Sequence, residues 1–96
     1  MSPKNKKKLN ILRKKLDRLD NKLLILIKKR TEVIKNVISL KTSRKEIVDK
    51  KRISFILRKI KKASIENKID PRITNKIWKN MIWSYIDYER RNFKKK

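Results

Sequence analysis

The sequence predicts an all-helical fold, and two observations carry that prediction. The 96 residues include no Gly and only two Pro, so the chain has few of the residues that form tight turns. Its apolar residues recur at steps of three and four, which is the period of a packed α-helix. We expect a single domain over residues 1–96, built from three helices, with residues 1–6 and 93–96 as disordered basic tails.

The first predicted helix covers about residues 7–41, which is about 50 Å at 1.5 Å per residue. Its apolar seam consists of Leu9, Leu12, Leu16, Leu19, Leu23 and Leu26, followed by Val33, Val37 and Leu40. Two shorter segments of the same chain cannot cover so long a helix. We therefore expect it to pair with a second copy in a helical homodimer.

One position of this seam carries a charge, because the step after Leu26 falls on Arg30. Burying an unpaired guanidinium is costly, so Arg30 is expected to have an anionic partner inside the structure. Lys41 lies only about 20° from Arg30 around the helix, and together they could hold the two ends of a small dianion. Arg13 lies about 25 Å from Arg30 along the axis and could reach such a ligand only from a second, antiparallel chain.

The rest of the chain is predicted as a polar loop over residues 42–48, a helix over about 49–66, a connection over 67–69 and a helix over about 70–92. Asp70 and Pro71 mark the third helix, as N-cap and first helical residue. Asp49 and Arg52 could form a local ion pair or line a polar site. Glu89 continues the apolar stripe formed by Ile73, Ile77, Trp78, Met81, Ile82, Tyr85 and Ile86, either buried or frayed into solvent.

Composition excludes several kinds of chemistry. Without Cys or His, the chain has no disulfide, thiolate metal site or imidazole catalyst, and we expect neither metal nor cofactor. The net charge of +23 is compatible with nucleic-acid binding, but the charge is spread over all segments and aromatic residues do not interleave with it. A nucleic-acid-binding protein is therefore kept only as an alternative.

No targeting or membrane-spanning segment is expected either. The first eight residues are basic but lack the apolar stretch of a signal peptide. The longest apolar run, Leu23 to Ile27, has five residues and is too short to cross a membrane. We expect a soluble, cytoplasmic protein.

Several motifs in order resemble one family. The first motif runs from Leu12 to Arg30 and reads L-R-x-x-L-D-x-L-D-x-x-L-L-x-L-I-x-x-R. It is followed by Lys41, by V-D-x-x-R ending at Arg52, by I-D-P at residues 69–71 and by W-x-x-M-I-x-x-Y-I-x-Y-E ending at Glu89. Their order and spacing are similar to those of the all-helical (type II) chorismate mutases, over nearly the whole chain. The resemblance implies an intertwined homodimer that converts chorismate to prephenate without a cofactor, in the shikimate pathway to aromatic amino acids.

The resemblance also implies roles for individual residues. Arg30 and the partner's Arg13 would bind the two carboxylates of the substrate, since the planar fork of Arg suits them. Lys41 and Glu89 would donate hydrogen bonds to the ether oxygen whose bond breaks. The remaining substrate-binding positions implied are Asp49, near the ring hydroxyl, with Arg52, Ile53 and Tyr85.

Two positions depart from the family pattern. Many members have Gln where this chain has Glu89, and a carboxyl group can donate a hydrogen bond only when protonated. The activity is therefore expected to fall as pH rises, and Glu89→Gln is expected to flatten that profile.

Ile53 is the second departure, because the usual motif has Glu after the Arg to contact the ring hydroxyl. An apolar residue here also resembles the isochorismate pyruvate lyases, which share the fold and form salicylate. Asp49 and the Tyr88-Glu89 ending favour the mutase. A non-catalytic helical dimer remains a third alternative.

Overall fold

The computed structural model describes residues 1–94, which form three α-helices and no strand. The helices are α1 (Pro3–Leu40), α2 (Lys50–Glu66) and α3 (Pro71–Asn92), and a 3₁₀ turn (Arg44–Glu46) lies between α1 and α2. This confirms the all-helical class and the number of helices. None of these helices has a stretch apolar enough and long enough to cross a membrane. The chain divides into two compact units, an amino-terminal unit (Met1–Ile34) and a carboxy-terminal unit that begins at Lys35.

In the amino-terminal unit, α1 begins at Pro3. Residues 3–6 are therefore helical, although they were predicted to be disordered. Ser2 explains the earlier start. Its Oγ accepts a hydrogen bond from the backbone N–H of Asn5 at 3.2 Å, and its carbonyl accepts one from Lys6 at 2.8 Å. A Ser N-cap followed by Pro at the first helical position is a strong start signal, and it outweighs the repulsion among the lysines that follow.

The apolar seam of α1 is exposed in the single chain. Five of its leucines retain between 53% and 58% of their accessible surface: Leu12, Leu16, Leu19, Leu23 and Leu26. A soluble helix normally covers such a stripe. The homodimer remains a prediction, and this seam is the surface that it would bury.

The carboxy-terminal unit has a core of its own. Ile47, Ile82, Ile86 and Phe93 form a buried cluster, and the α2 residues Ile53, Ile56 and Leu57 pack against it. Phe93, which the sequence analysis assigned to a disordered tail, is only 9% exposed, because its ring completes this cluster. Residues 95 and 96 of that predicted tail lie outside the described residues.

The α2–α3 hairpin follows the sequence prediction closely. Asp49 caps α2, and its carboxylate accepts a hydrogen bond from the backbone N–H of Arg52 at 3.0 Å. Asp70 caps α3 in the same way through Arg72, with Pro71 as the first helical residue. Between the helices, Lys68 adopts a left-handed conformation with φ 57°, the conformation that usually ends a helix.

The first turns of α3 differ from the predicted stripe. Ile73 and Ile77 remain more than half exposed, whereas Ile82 and Ile86 are buried. A polar contact joins α2 and α3 near this end, because the buried hydroxyls of Ser64 and Thr74 are 2.7 Å apart. The apolar packing between the helices is therefore concentrated toward the carboxyl end of α3.

Candidate active site

Lys41 and Glu89 form a partly buried ion pair in the carboxy-terminal unit. The Nζ of Lys41 is 2.9 Å from the Oε1 of Glu89, and the two side chains are 17% and 7% exposed. Glu89 lies one turn beyond Ile86 on the buried face of α3. The sequence left two interpretations of Glu89 open. Its burial is confirmed, and the alternative, that it frays into solvent, is wrong.

The end of α1 and the turn after it position Lys41. The helix ends at Leu40, one residue before the predicted end, and the backbone N–H of Lys41 donates to the carbonyl of Ile38 at 3.1 Å. In the following turn, the hydroxyl of Thr42 donates to the carboxylate of Glu46 at 2.7 Å. This hydrogen bond is the main cause that lowers the pKa of Glu46 below its ordinary value, and the charge of Lys41 acts in the same direction.

A second residue of this turn, Arg44, contacts the end of α3. Its Nη1 donates to the backbone carbonyl of Arg90 at 3.2 Å, and its guanidinium lies over the ring of Phe93, 5.4 Å from the centroid. No sequence pattern indicated a role for Arg44. Its partners are distant in the chain, and an Arg in a polar loop of so basic a protein carries no signal of its own.

Tyr85 and Ile53 lie on α3 and α2, the two helices that contribute to the core of the carboxy-terminal unit. Tyr85 is one turn before Glu89 on α3, on the same side of the helix, and is half-buried. Ile53 is half-buried against the cluster that contains Ile86. Ile53 is therefore a packing residue between α2 and α3, which explains why an apolar side chain is stable at this position.

Asp49 and Arg52 lie at the start of α2 with exposed side chains. The carboxylate of Asp49 accepts from the backbone of Arg52, whereas the guanidinium of Arg52 lies over the ring of Phe55, 5.3 Å from its centroid. The two side chains thus have different partners. Asp49 and Arg52 interact through the N-cap hydrogen bond, which the backbone N–H of Arg52 donates to the Asp49 carboxylate.

Arg13 and Arg30 both belong to the amino-terminal unit. Arg13 is exposed and Arg30 is half-buried on α1. Their 17-residue separation along a continuous helix corresponds to about 25 Å. Within one chain they are too far apart to hold the same small molecule.

The pair of Lys41 and Glu89 brings a cation and a carboxylate within hydrogen-bonding distance where both side chains have little exposure to water. Residues 12–90 match the family described as chorismate mutase type II, a range that includes every candidate site residue from Arg13 to Glu89. The chain belongs to the chorismate mutase type II family, which confirms the resemblance. No match was found among the curated proteins or among the solved structures.

Proposed function

We propose that this protein is a chorismate mutase, an isomerase that rearranges chorismate to prephenate. The observation that carries the proposal is the partly buried Lys41–Glu89 pair, 2.9 Å apart, in a chain that matches the family over residues 12–90. Both side chains belong to motifs on which the resemblance rests. Their burial is the environment in which hydrogen bonds to a developing charge are most effective.

The rearrangement breaks a carbon–oxygen bond and forms a carbon–carbon bond within one molecule, so no atom or electron is exchanged with the protein. Catalysis then requires a compact substrate conformer and stabilisation of negative charge on the ether oxygen. The Lys41 ammonium donates one hydrogen bond to that oxygen, and a protonated Glu89 donates another. Substrate binding replaces the direct contact between Lys41 and Glu89.

The two substrate carboxylates require cations on opposite sides. Arg30 binds one carboxylate, and the partner's Arg13 binds the other, because a single chain separates these arginines by about 25 Å. A second copy of the chain covers the exposed leucine seam of α1 and completes the site. Asp49, Arg52, Ile53 and Tyr85 line the remainder of it.

The primary test measures chorismate consumption and prephenate formation by the purified protein and two variants. Lys41→Met and Glu89→Ala each remove one side chain of this pair, and we expect kcat to fall by about 100-fold or more. Lys45→Met and Asp87→Ala are matched controls, because both side chains are exposed and close in sequence to the pair. Equal losses in the controls, or no loss in the site variants, would contradict the proposal.

The pH dependence tests the role of Glu89 separately. Because only the protonated carboxyl group donates a hydrogen bond, the activity declines as pH rises. Glu89→Gln keeps a donor at every pH and flattens the profile of kcat against pH. If the variant retains the wild-type profile, Glu89 is not the second donor.

Ile53 favours one alternative, an isochorismate pyruvate lyase that releases pyruvate and forms salicylate. The side chain after Arg52 is apolar and packs against the α2–α3 cluster, so it cannot contact a ring hydroxyl as a Glu would. Incubating the protein with isochorismate and detecting salicylate by its fluorescence tests this alternative. Salicylate formation without chorismate consumption would show that the protein is a lyase and would refute the proposed mutase activity.

A further inference from the structure

The 3₁₀ turn that follows Lys41, Arg44–Glu46, contacts the end of α3 next to Glu89. Arg44 Nη1 donates to the Arg90 carbonyl at 3.2 Å, and the same guanidinium covers the ring of Phe93. Ile47, at the end of the turn, packs with Phe93 in the buried cluster. Arg90 and Phe93 follow Glu89 by one and four residues, and Arg44 follows Lys41 by three residues.

Arg44 is well suited to this position for two physical reasons. The last carbonyl groups of a helix lack partners within it and form the negative end of its dipole, so a cation that donates to one of them stabilises the last turn. A guanidinium can also stack its flat face on an aromatic ring while its edge donates a hydrogen bond. A Lys side chain has a point-like charge and does not combine both contacts as well.

Phe93 provides the fixed surface against which Arg44 lies. The residue follows the last residue of α3, its backbone is extended, and its side chain is 9% exposed. It also lies beyond residue 90, where the family match ends. The anchoring of α3 by Arg44 and Phe93 thus includes a contact outside the matched region.

We propose that Arg44 is a positioning residue for the Lys41–Glu89 pair. It acts through the Arg90 carbonyl and the Phe93 ring, and it touches neither Lys41, Glu89 nor the substrate. By holding the segment after Lys41 against the last turn of α3, it fixes the backbone positions from which both side chains reach the ether oxygen. The kinetic consequence rests on the proposed chorismate mutase activity, whereas the positioning itself does not.

The kinetic experiment compares Arg44→Met, Phe93→Leu, their double variant and Arg44→Lys, all assayed well below the melting temperature of each. We expect Arg44→Met to lower kcat by about tenfold with KM changed by less than about twofold, because misplaced donors weaken the transition state more than substrate binding. The double variant falls little further, because both substitutions remove the same contact. Arg44→Lys recovers part of kcat.

Arg58→Met is the matched control, because it removes one positive charge from an exposed position on α2. We expect its kcat to stay within about twofold of wild type. An unchanged kcat in Arg44→Met, additive losses in the double variant, or an equal loss in Arg58→Met would each overturn the proposal. A purely structural role would lower the melting temperature and leave kcat of the folded variant unchanged.

Amide hydrogen exchange separates this proposal from the proposed function. Arg44→Met should accelerate exchange in the last turn of α3, at residues 89–92, while Arg58→Met leaves it unchanged. If the wild-type protein does not convert chorismate but this acceleration occurs, the proposed function fails and the positioning role of Arg44 stands. If exchange is unchanged, the positioning role fails whatever the activity.

Discussion

The two units of the chain bury their apolar residues differently. In the amino-terminal unit, the seam of α1 keeps more than half of each leucine from Leu12 to Leu26 in solvent. In the carboxy-terminal unit, Ile47, Ile82, Ile86 and Phe93 are buried among themselves. The second unit therefore has a core within one chain, whereas the first has an apolar stripe that only another surface can cover.

The candidate site residues divide along the same line. Lys41 and Glu89 already contact each other within the carboxy-terminal unit. Arg13 and Arg30 lie on α1 with a separation that prevents them from sharing a ligand within one chain. In the proposed enzyme, one chain supplies the donors to the ether oxygen, and two chains are needed to bind both carboxylates.

The largest effect is expected from a charge in the seam. Leu23→Asp places a carboxylate in the proposed dimer interface and should abolish both the dimer, measured by analytical ultracentrifugation, and the mutase activity. Ile25→Asp is the matched control, since Ile25 is 57% exposed against 54% for Leu23 but lies about 160° away around the helix. A dimer that survives Leu23→Asp would refute pairing along the seam. Equal disruption by Ile25→Asp would mean that the partner surrounds α1.

A mixing experiment tests whether the site is shared. Arg13→Ala and Arg30→Ala should each be nearly inactive, but the two proteins together should recover activity after subunit exchange. Random exchange leaves about a quarter of the sites with both arginines, because half of the dimers are mixed and each has one intact site. Exchange demonstrated by mass spectrometry without any recovery would contradict a shared site.

A smaller effect is expected in the α2–α3 hairpin. Ser64→Ala removes the 2.7 Å partner of the buried Thr74 hydroxyl and should lower the free energy of unfolding by about 1 kcal/mol. The double variant Ser64→Ala/Thr74→Val should be closer to wild type, because neither polar group is then left in the interior. Urea denaturation measures both.

Ser84→Ala is the control for that experiment. Both hydroxyls donate to the carbonyl four residues earlier, that of Ser64 at 2.6 Å and that of Ser84 at 2.7 Å, but Ser84 is exposed. Its effect should stay below about 0.5 kcal/mol. A loss in Ser84→Ala as large as that in Ser64→Ala would show that the buried hydroxyl pair does not stabilise the hairpin.

The smallest effect is expected at the start of α3. Hydrogen bonds from the side chain and then the backbone of Arg72 lower the pKa of Asp70 below its ordinary value of 3.8. The ionised Asp70 therefore stabilises the fold above pH 3.8, and this contribution is lost as pH falls through the lower pKa of the folded state. Asp70→Asn should melt slightly earlier than wild type at neutral pH, and the difference in melting temperature should shrink in acid. A difference that is constant with pH would contradict this.

The sequence predicted those features that depend on neighbouring residues. The caps at Asp49 and Asp70, the extent of α2 and α3, and the position of Glu89 on the apolar face of α3 all follow from local signals and helical period. Ser2-Pro3 is also a local start signal, and α1 begins there, four residues before its predicted start.

Features that depend on distant contacts were not predictable in this way. Phe93 was assigned to a tail because its segment is basic, although its ring is buried against Ile47. Arg44 was not identified because its partners, Arg90 and Phe93, are 46 and 49 positions away. The helical period predicted an anionic partner for Arg30, and only the family resemblance assigned Lys41 and Glu89 to one site; their direct contact was not predicted.

The left-handed Lys68 has a consequence for the unusual composition of this protein. A side chain with a Cβ atom is less stable in that conformation by about 1 kcal/mol, and helices that end in a left-handed residue usually have Gly there. A chain without any Gly has no such residue at the α2–α3 turn. A single Lys68→Gly replacement would therefore relieve backbone strain at the α2–α3 turn, which is at the opposite end of α3 from Glu89, and this makes it a route to a more stable form of the protein.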